Sequence, residues 1–245
     1  MAFRDLTLKL LGKRGSDLMW LAAQRLAYPP DFFANDIALC NAVEGKTMTS
    51  PERIVGLAQA VRYVSANAIP GAFVECGVWR GGSMMAAAHV LCELGDTNRE
   101  LVLFDTFEGM PDPTSRDVTF AGRPAAGSMT RGWCASHEEE VAANLVSTGY
   151  PRGRLRFVKG KVEETLPAAA PEQIALLRLD TDWYESTLHE LRHLYPRLAR
   201  GGVLIIDDYG HWQGAKAAVD SFFETISPRP LLAPLDYTGR CCVKP

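Results

Sequence analysis

The chain has 245 residues and a mass of 26.9 kDa, room for one large α/β domain or two small ones. Its 47% apolar and 22% charged residues exclude disordered and fibrous classes. A net charge of −3 and a pI near 6.0 argue against a general nucleic-acid binder, and no apolar run approaches the length of a membrane span. The N-terminus lacks the apolar core of a signal peptide, because Asp5 and Lys9 interrupt it, which predicts a cytoplasmic protein. Phe3, Leu6, Leu10, Leu18, Leu21, Ala22 and Leu26 recur at helical spacing until Tyr28-Pro29-Pro30 breaks the pattern. Asp31 to Val43 predicts a further short helix. Residues 1–45 are therefore expected to form a helical arm, too short for its own core, that packs on the main domain, on a partner subunit or over an active site. Residues 46–245 are expected to form one domain.

That domain starts with Ser50, Pro51 and Glu52: a capping hydroxyl, a first-turn proline and an early acid, predicting a helix to about Asn67. Strand Ala72–Cys76, a glycine-rich turn, helix Ser83–Leu94 and strand Glu100–Phe104 follow. Residues 108–135 predict a long loop, a functional lid or a disordered segment. Ser136 and Glu139 form a capping-box pattern for a helix over 136–148. Next come strand Leu155–Lys159, a short helix near Val162–Leu166 and strand Ala175–Leu179. A helix over Tyr184–Leu198 is expected to kink at Pro196 and stop at Gly201-Gly202. Strand Val203–Asp207, helix Ala215–Thr225 and two short strands near Pro230–Pro234 and Gly239–Val243 complete the chain. Alternating strands and helices predict an α/β, Rossmann-like fold, with a mostly parallel twisted sheet and an antiparallel C-terminal edge. The six cysteines form no CxxC pair and are expected to be reduced, buried thiols.

Three segments fall at the C-terminal ends of strands, where a doubly wound fold binds ligands. In Glu75-Cys76-Gly77-Val78-Trp79-Arg80-Gly81-Gly82-Ser83, glycines let a ligand approach the backbone and a helix N-terminus offers free N–H groups. The pattern is not G-x-G-x-x-G, which disfavours a nicotinamide-dependent oxidoreductase. Asp105 ends the next strand, where a carboxylate holds a ribose; an Asp capping a helix is the alternative, which the neighbouring glycine motif disfavours. Asp180, Asp182, Asp207 and Asp208 gather at one sheet edge, a costly arrangement unless a cation neutralises it. Oxygen ligands of this kind suit Mg²⁺ or Ca²⁺; a solvated acidic rim is the alternative.

Together with the tail Asp236-Tyr237-Thr238-Gly239, these segments resemble the macrocin O-methyltransferase (TylF-type) family of class I S-adenosylmethionine-dependent methyltransferases. The resemblance covers roughly residues 45–243, including Thr47-Met48-Thr49-Ser50. It implies methyl transfer from S-adenosylmethionine to a hydroxyl of a sugar or glycosylated natural product. Met48, Glu75, Gly77, Trp79, Arg80, Gly81, Gly82, Ser83, Asp105, Thr106, Phe107, Gly160, Lys161, Val162 and Asp180 would contact the cofactor. Asp180, Asp207 and Asp208 would hold Mg²⁺. It also implies Asp182 as general base. Some relatives use a loop histidine instead, and His137, at a helix start, is the residue nearest that pattern. The family's habit of forming homo-oligomers is carried over as an expectation.

Several roles stay open at the level of sequence. His211 follows the paired aspartates and is a candidate for the substrate mouth or a rim histidine. Arg116, Arg123 and Arg131 are candidates for an anionic acceptor, or solvated loop charges. Trp133, Trp183 and Trp212 stack on an acceptor or pack internally. Competing functions are methylation of a small phenol or catechol, a divalent-metal hydrolase built on the aspartates, and a non-catalytic S-adenosylmethionine-binding scaffold. No nucleic-acid or membrane partner is expected.

Overall fold

The computed structural model describes residues 28–127 and 132–245. The helical pattern between Phe3 and Leu26, and Arg131, lie outside the described residues. In chain order the elements are α1 (Ala34–Ala42), α2 (Pro51–Ala66), β1 (Ala72–Cys76), α3 (Gly82–Leu94), β2 (Leu101–Asp105), α4 (Glu138–Ser147) and β3 (Leu155–Lys159). Then come α5 (Val162–Thr165), β4 (Ile174–Leu179), α6 (Tyr184–Leu194), β5 (Leu198–Ile206), α7 (Gln213–Phe223), β6 (Ala233–Pro234) and β7 (Arg240–Val243). The strands form a single sheet in the order β3-β2-β1-β4-β5-β7-β6. β1 to β5 pair in parallel, and β7 and β6 add antiparallel at the edge.

The central strands are buried on both faces, which is why they read as apolar runs rather than alternating ones. One face packs Phe73, Leu101, Leu103 and Ile205 against α2, α3 and α4. The other packs Val74, Phe104, Leu177 and Ile206 against α6 and α7. Leu39 and Cys40 of α1, and Val43 just after it, belong to the first of these clusters. α2 begins as its sequence predicts: Ser50 Oγ accepts from the Arg53 N–H at 3.3 Å, and Pro51 takes the first helical position. Strand order reverses between β1 and β4, so a crevice opens over their carboxyl ends.

Four expectations are corrected. α6 ends at Leu194, and a 3₁₀ turn over Tyr195–Arg197 accommodates Pro196, which has no N–H to extend a helix. Gly201 and Gly202 stop no helix; they lie inside β5, where the pairing with β4 shifts register between Ile174 and Leu176. Both still bond across to Lys244 at 2.8 Å. α4 is capped at His137 rather than Ser136, whose hydroxyl bonds instead to the Glu140 carboxylate at 3.5 Å. At the C-terminal edge, only Ala233–Pro234 of the expected strand pairs, because prolines lack the ladder donor.

Among its described residues the long loop is neither helix nor strand, yet its first part is tied down. Buried Asp117 accepts from the Thr114 and Tyr184 amides at 2.7 and 2.9 Å, which fastens it to the start of α6. The Val118–Pro124 bridge closes the loop tip on itself, and the Thr119–Trp212 bridge holds it against the β5–α7 connection.

Candidate active site

Backbone hydrogen bonds carry the parallel ladder one residue past the strand ends. Gly77 N–H donates to Phe104 O at 2.9 Å, Asp180 N–H to Cys76 O at 2.8 Å, and Asp207 N–H to Leu179 O at 2.9 Å. The chain after β1 therefore lies against the chain after β4. A Cβ on Gly77 would sit 1.9 Å from the Asp180 carbonyl oxygen, and its φ of +80° is in the left-handed region, so both space and conformation require glycine. A cavity of about 300 Å³ lies above these ends.

One end of the cavity is built largely from main chain. Gly77, Trp79 and Ser83 line it from the turn between β1 and α3, Asp105 and Thr106 from the end of β2, and Gly160, Lys161 and Val162 from the β3–α5 turn. Asp105 accepts three backbone N–H bonds: Val78 at 2.7 Å and Trp79 at 3.0 Å on one oxygen, Phe107 at 2.7 Å on the other. Its carboxylate thus fixes the turns on both sides as well as facing the cavity. Met48 closes the side from the segment before α2.

The other end is ionic. Asp180, Asp207 and Asp208 place carboxylate oxygens within 4.8 Å of one another. Arg178, buried in β4, donates to Glu75 Oε1 at 2.6 Å, Asp180 Oδ2 at 2.7 Å, Asp207 Oδ1 at 2.5 Å and Thr49 Oγ1 at 2.7 Å. Arg53 pairs with the second oxygen of Asp207 and with Asp236 Oδ2, the latter at 3.0 Å. Ser50 Oγ donates to the same Asp236 oxygen at 2.8 Å. Burial pushes Glu75 up to about 7 against the pull of Arg178.

Asp182 adopts φ 64°, an αL conformation that Asp tolerates better than most side chains, and faces the cavity. Burial and repulsion from Asp180 hold Asp182 above the usual carboxylate range, and burial and Asp182 do the same to Asp208. Asp208 Oδ2 is buried with no hydrogen-bond partner. Six carboxylates, those of Glu75, Asp180, Asp182, Asp207, Asp208 and Asp236, thus face two guanidiniums here.

Some sequence candidates lie elsewhere. Glu75 is beneath the cavity, bound to Arg178. Phe107 is buried in the core against Phe157, with ring centroids 6.4 Å apart. Gly81 and Gly82 start α3 without lining the cavity, and Arg80 turns outward over the Trp79 ring toward Glu140. His137 is exposed at the start of α4 and does not line the cavity. His211 does, with Nδ1 3.1 Å from Tyr237 Oη. Arg116 stacks on Tyr184 and pairs with Glu185 away from the cavity. Trp183 and Trp212 pack edge to face at 5.1 Å in a buried cluster with Ala125 and Ala215; Trp212 and the more open Trp133 line the cavity, and Trp183 does not. Sequence reasoning missed Arg53, Arg178 and Thr49. The signal for Arg178 was present: an arginine inside the apolar run Leu176-Leu177-Arg178-Leu179 must find buried acids.

The reversal of strand order, the glycine turn at that reversal and the acids across from it are features of the class I methyltransferase fold. A solved structure, that of the O-methyltransferase NovP, superposes with a TM-score of 0.74 at 33% identity, covering 81% of this chain and 82% of that one. The chain belongs to the macrocin O-methyltransferase family, since the profile described as Macrocin-O-methyltransferase (TylF) matches residues 35–242. Two relatives are similar in sequence. The 8-demethyl-8-(2,3-dimethoxy-alpha-L-rhamnosyl)-tetracenomycin-C 4'-O-methyltransferase of Streptomyces olivaceus is 41% identical over 66% of this chain and 62% of its own. The demethyldecarbamoylnovobiocin O-methyltransferase of Streptomyces niveus is 36% identical over 72% of this chain and 67% of its own. The chain thus spans about two thirds of the length of these relatives. Among the described residues no helix is long and apolar enough to cross a membrane.

Proposed function

We propose that this chain transfers a methyl group from S-adenosylmethionine to a hydroxyl of a sugar carried by a natural product, with Mg²⁺ as the divalent cation. The observation that carries this reading is the junction, in one cavity, of a main-chain cradle and an acidic cluster. The acceptor class follows the tetracenomycin relative, whose name specifies O-methylation of a rhamnosyl compound.

The residues at the β1–β3 end would hold the cofactor, and Asp180, Asp207 and Asp208 the cation. The fit to a hard cation is good. Three carboxylates converge, one of their oxygens is buried without a partner, and the local acids outnumber the arginines. When bound, S-adenosylmethionine supplies a methyl group activated on a sulfonium, and Mg²⁺ supplies a Lewis acid that lowers the pKa of the acceptor hydroxyl.

The remaining work falls to the chain. Asp182 presents its carboxylate from a left-handed turn and takes the hydroxyl proton at a carboxylate oxygen. Arg178 holds Asp180 and Asp207 in one orientation through two short bonds from a single planar group. Met110, Trp133 and Trp212 give the cavity apolar walls that keep water from the reacting atoms. The test is a screen of rhamnosyl natural products and free phenols with S-adenosylmethionine and Mg²⁺, read by mass. A single methyl gained by a glycoside and abolished by EDTA is the expected result. Transfer to free phenols alone, or to nothing, rejects the reading.

A further inference from the structure

We propose that Phe120, His211 and Tyr237 form a ledge at the cavity mouth that seats a planar aromatic ring system attached to the acceptor sugar. This subsite rests on the methyl-transfer reading above and extends it to the part of the acceptor that does not react.

Exposure is the first observation. Phe120 is 65% exposed and Tyr237 66%, whereas most of the described aromatic rings are buried or half-buried. Exposed apolar rings side by side mark binding surfaces more often than isolated ones do. Here the rings are in file: Phe120 and His211 centroids lie 5.9 Å apart at 66°, and His211 and Tyr237 centroids 6.1 Å apart at 75°. Steep contacts of this kind use ring edges and leave faces open to a ligand. Leu231 and Phe33 are more exposed still, but neither lines the cavity.

The second observation is that three separate segments are fastened to bring these rings together. Phe120 N–H donates to His211 O at 2.8 Å, and Thr119 N–H to Arg123 O at 2.8 Å, so the backbone of the loop tip is held beside His211. The turn carrying Tyr237 is closed by Asp236 Oδ1, which accepts from Thr238 and Gly239 amides at 2.9 and 2.6 Å. Gly210 lies so close to this turn that a Cβ there would be 2.0 Å from the Tyr237 carbonyl oxygen, and its N–H donates to Thr238 O at 2.9 Å. The Tyr237 hydroxyl and His211 Nδ1 are 3.1 Å apart, which orients both rings. Backbones held this way present the rings with little further ordering on binding.

The third observation is continuity. His211 and Tyr237 line the cavity that holds the acidic cluster, and Phe120 extends the same wall outward. A sugar reaching Asp182 therefore leaves its aglycone over these rings. Ring faces with single polar tips suit a fused aromatic system bearing hydroxyls better than a charged or purely aliphatic group.

The test uses 4-methylumbelliferyl α-L-rhamnoside as probe, with methyl α-L-rhamnoside as a competitor lacking the rings. Binding is read by fluorescence anisotropy on the full chain with S-adenosylhomocysteine present, for wild type, Phe120→Ser and Tyr237→Ser. The wild type is expected to prefer the ring-bearing glycoside by about tenfold or more, and each variant to lose most of that preference. S-adenosylmethionine affinity should be unchanged in both, which shows that the variants fold. Equal affinity in wild type and variants overturns the ledge, as does a wild type that binds both glycosides alike. A dimer that dissociates in the variants while probe binding persists also overturns it, since the rings then serve a second copy. Methyl transfer is read by mass in the same samples. Ring-dependent binding without any transfer removes the proposed reaction but keeps the ledge; transfer with ring-independent binding does the reverse.

Discussion

The two ends of the cavity are made of different materials. At the β1–β3 end, the groups that face a ligand are glycines, backbone amides and one aspartate whose oxygens are committed to three N–H bonds. At the β4–β5 end, they are side-chain charges, with Arg178 and Arg53 holding acids that would otherwise repel. A main-chain site tolerates change nearby, because its geometry is set by the sheet. An ionic site depends on each partner, because removing one leaves buried charge without compensation. The comparison therefore predicts unequal sensitivity to mutation within one cavity.

The largest effect is expected where the ionic end is broken at its centre. Arg178→Met leaves Glu75 buried without a guanidinium and Asp207 with Arg53 alone, and should cost about 3–5 kcal/mol of folding stability, measured by urea unfolding. A loss under about 1 kcal/mol would show that the acids take up protons or water at little cost, and would remove the contrast between the two ends. Next in size is Asp182→Asn. Turnover should fall about a hundredfold or more while S-adenosylmethionine affinity holds within about twofold, compared by steady-state kinetics and calorimetry. Turnover close to wild type would end the role of Asp182 as base.

The smallest effect concerns Glu190, a fully buried acid behind the ionic end. It accepts only from Thr181 Oγ1, at 3.0 Å, and its second oxygen has no partner. Burial raises its pKa well above the usual glutamate value. The folded state therefore keeps a proton that the unfolded state releases above its own pKa, and stability falls as pH rises from there toward the folded pKa. Glu190→Gln should raise Tm at pH 8, with a smaller gain at pH 5. An equal gain at both values would mean that Glu190 is not protonated in the folded protein.

The same contrast governs what the sequence revealed. The cradle was legible because its determinants are local: a strand, glycines at a turn and a helix start within Glu75–Ser83, and an acid at the end of the next strand. β1 and β3 fall on their expected residues for the same reason. The acids of the ionic end were legible as strand-end residues, but their partners were not. Arg53 comes from α2 and Asp236 from the C-terminal turn, 154 residues before Asp207 and 186 after Ser50 in the respective hydrogen bonds. No local pattern links such positions. The glycine pair at 201–202 misled for a related reason: a bulge in β5 depends on pairing with β4 and Lys244, which the local sequence of a helix stop does not contain. The aromatic ledge was invisible as a unit because it needs three loops brought to one mouth.

The most direct measurement is paired titration of S-adenosylmethionine and Mn²⁺, followed by calorimetry and by the electron paramagnetic resonance of free Mn²⁺, on wild type, Asp105→Asn and Asp208→Asn. Two separate ends in one cavity predict that Asp105→Asn weakens S-adenosylmethionine by about tenfold and leaves Mn²⁺ binding intact, and that Asp208→Asn does the opposite. Mn²⁺ binding that survives Asp208→Asn unchanged, or a wild type that binds no cation, would contradict the account.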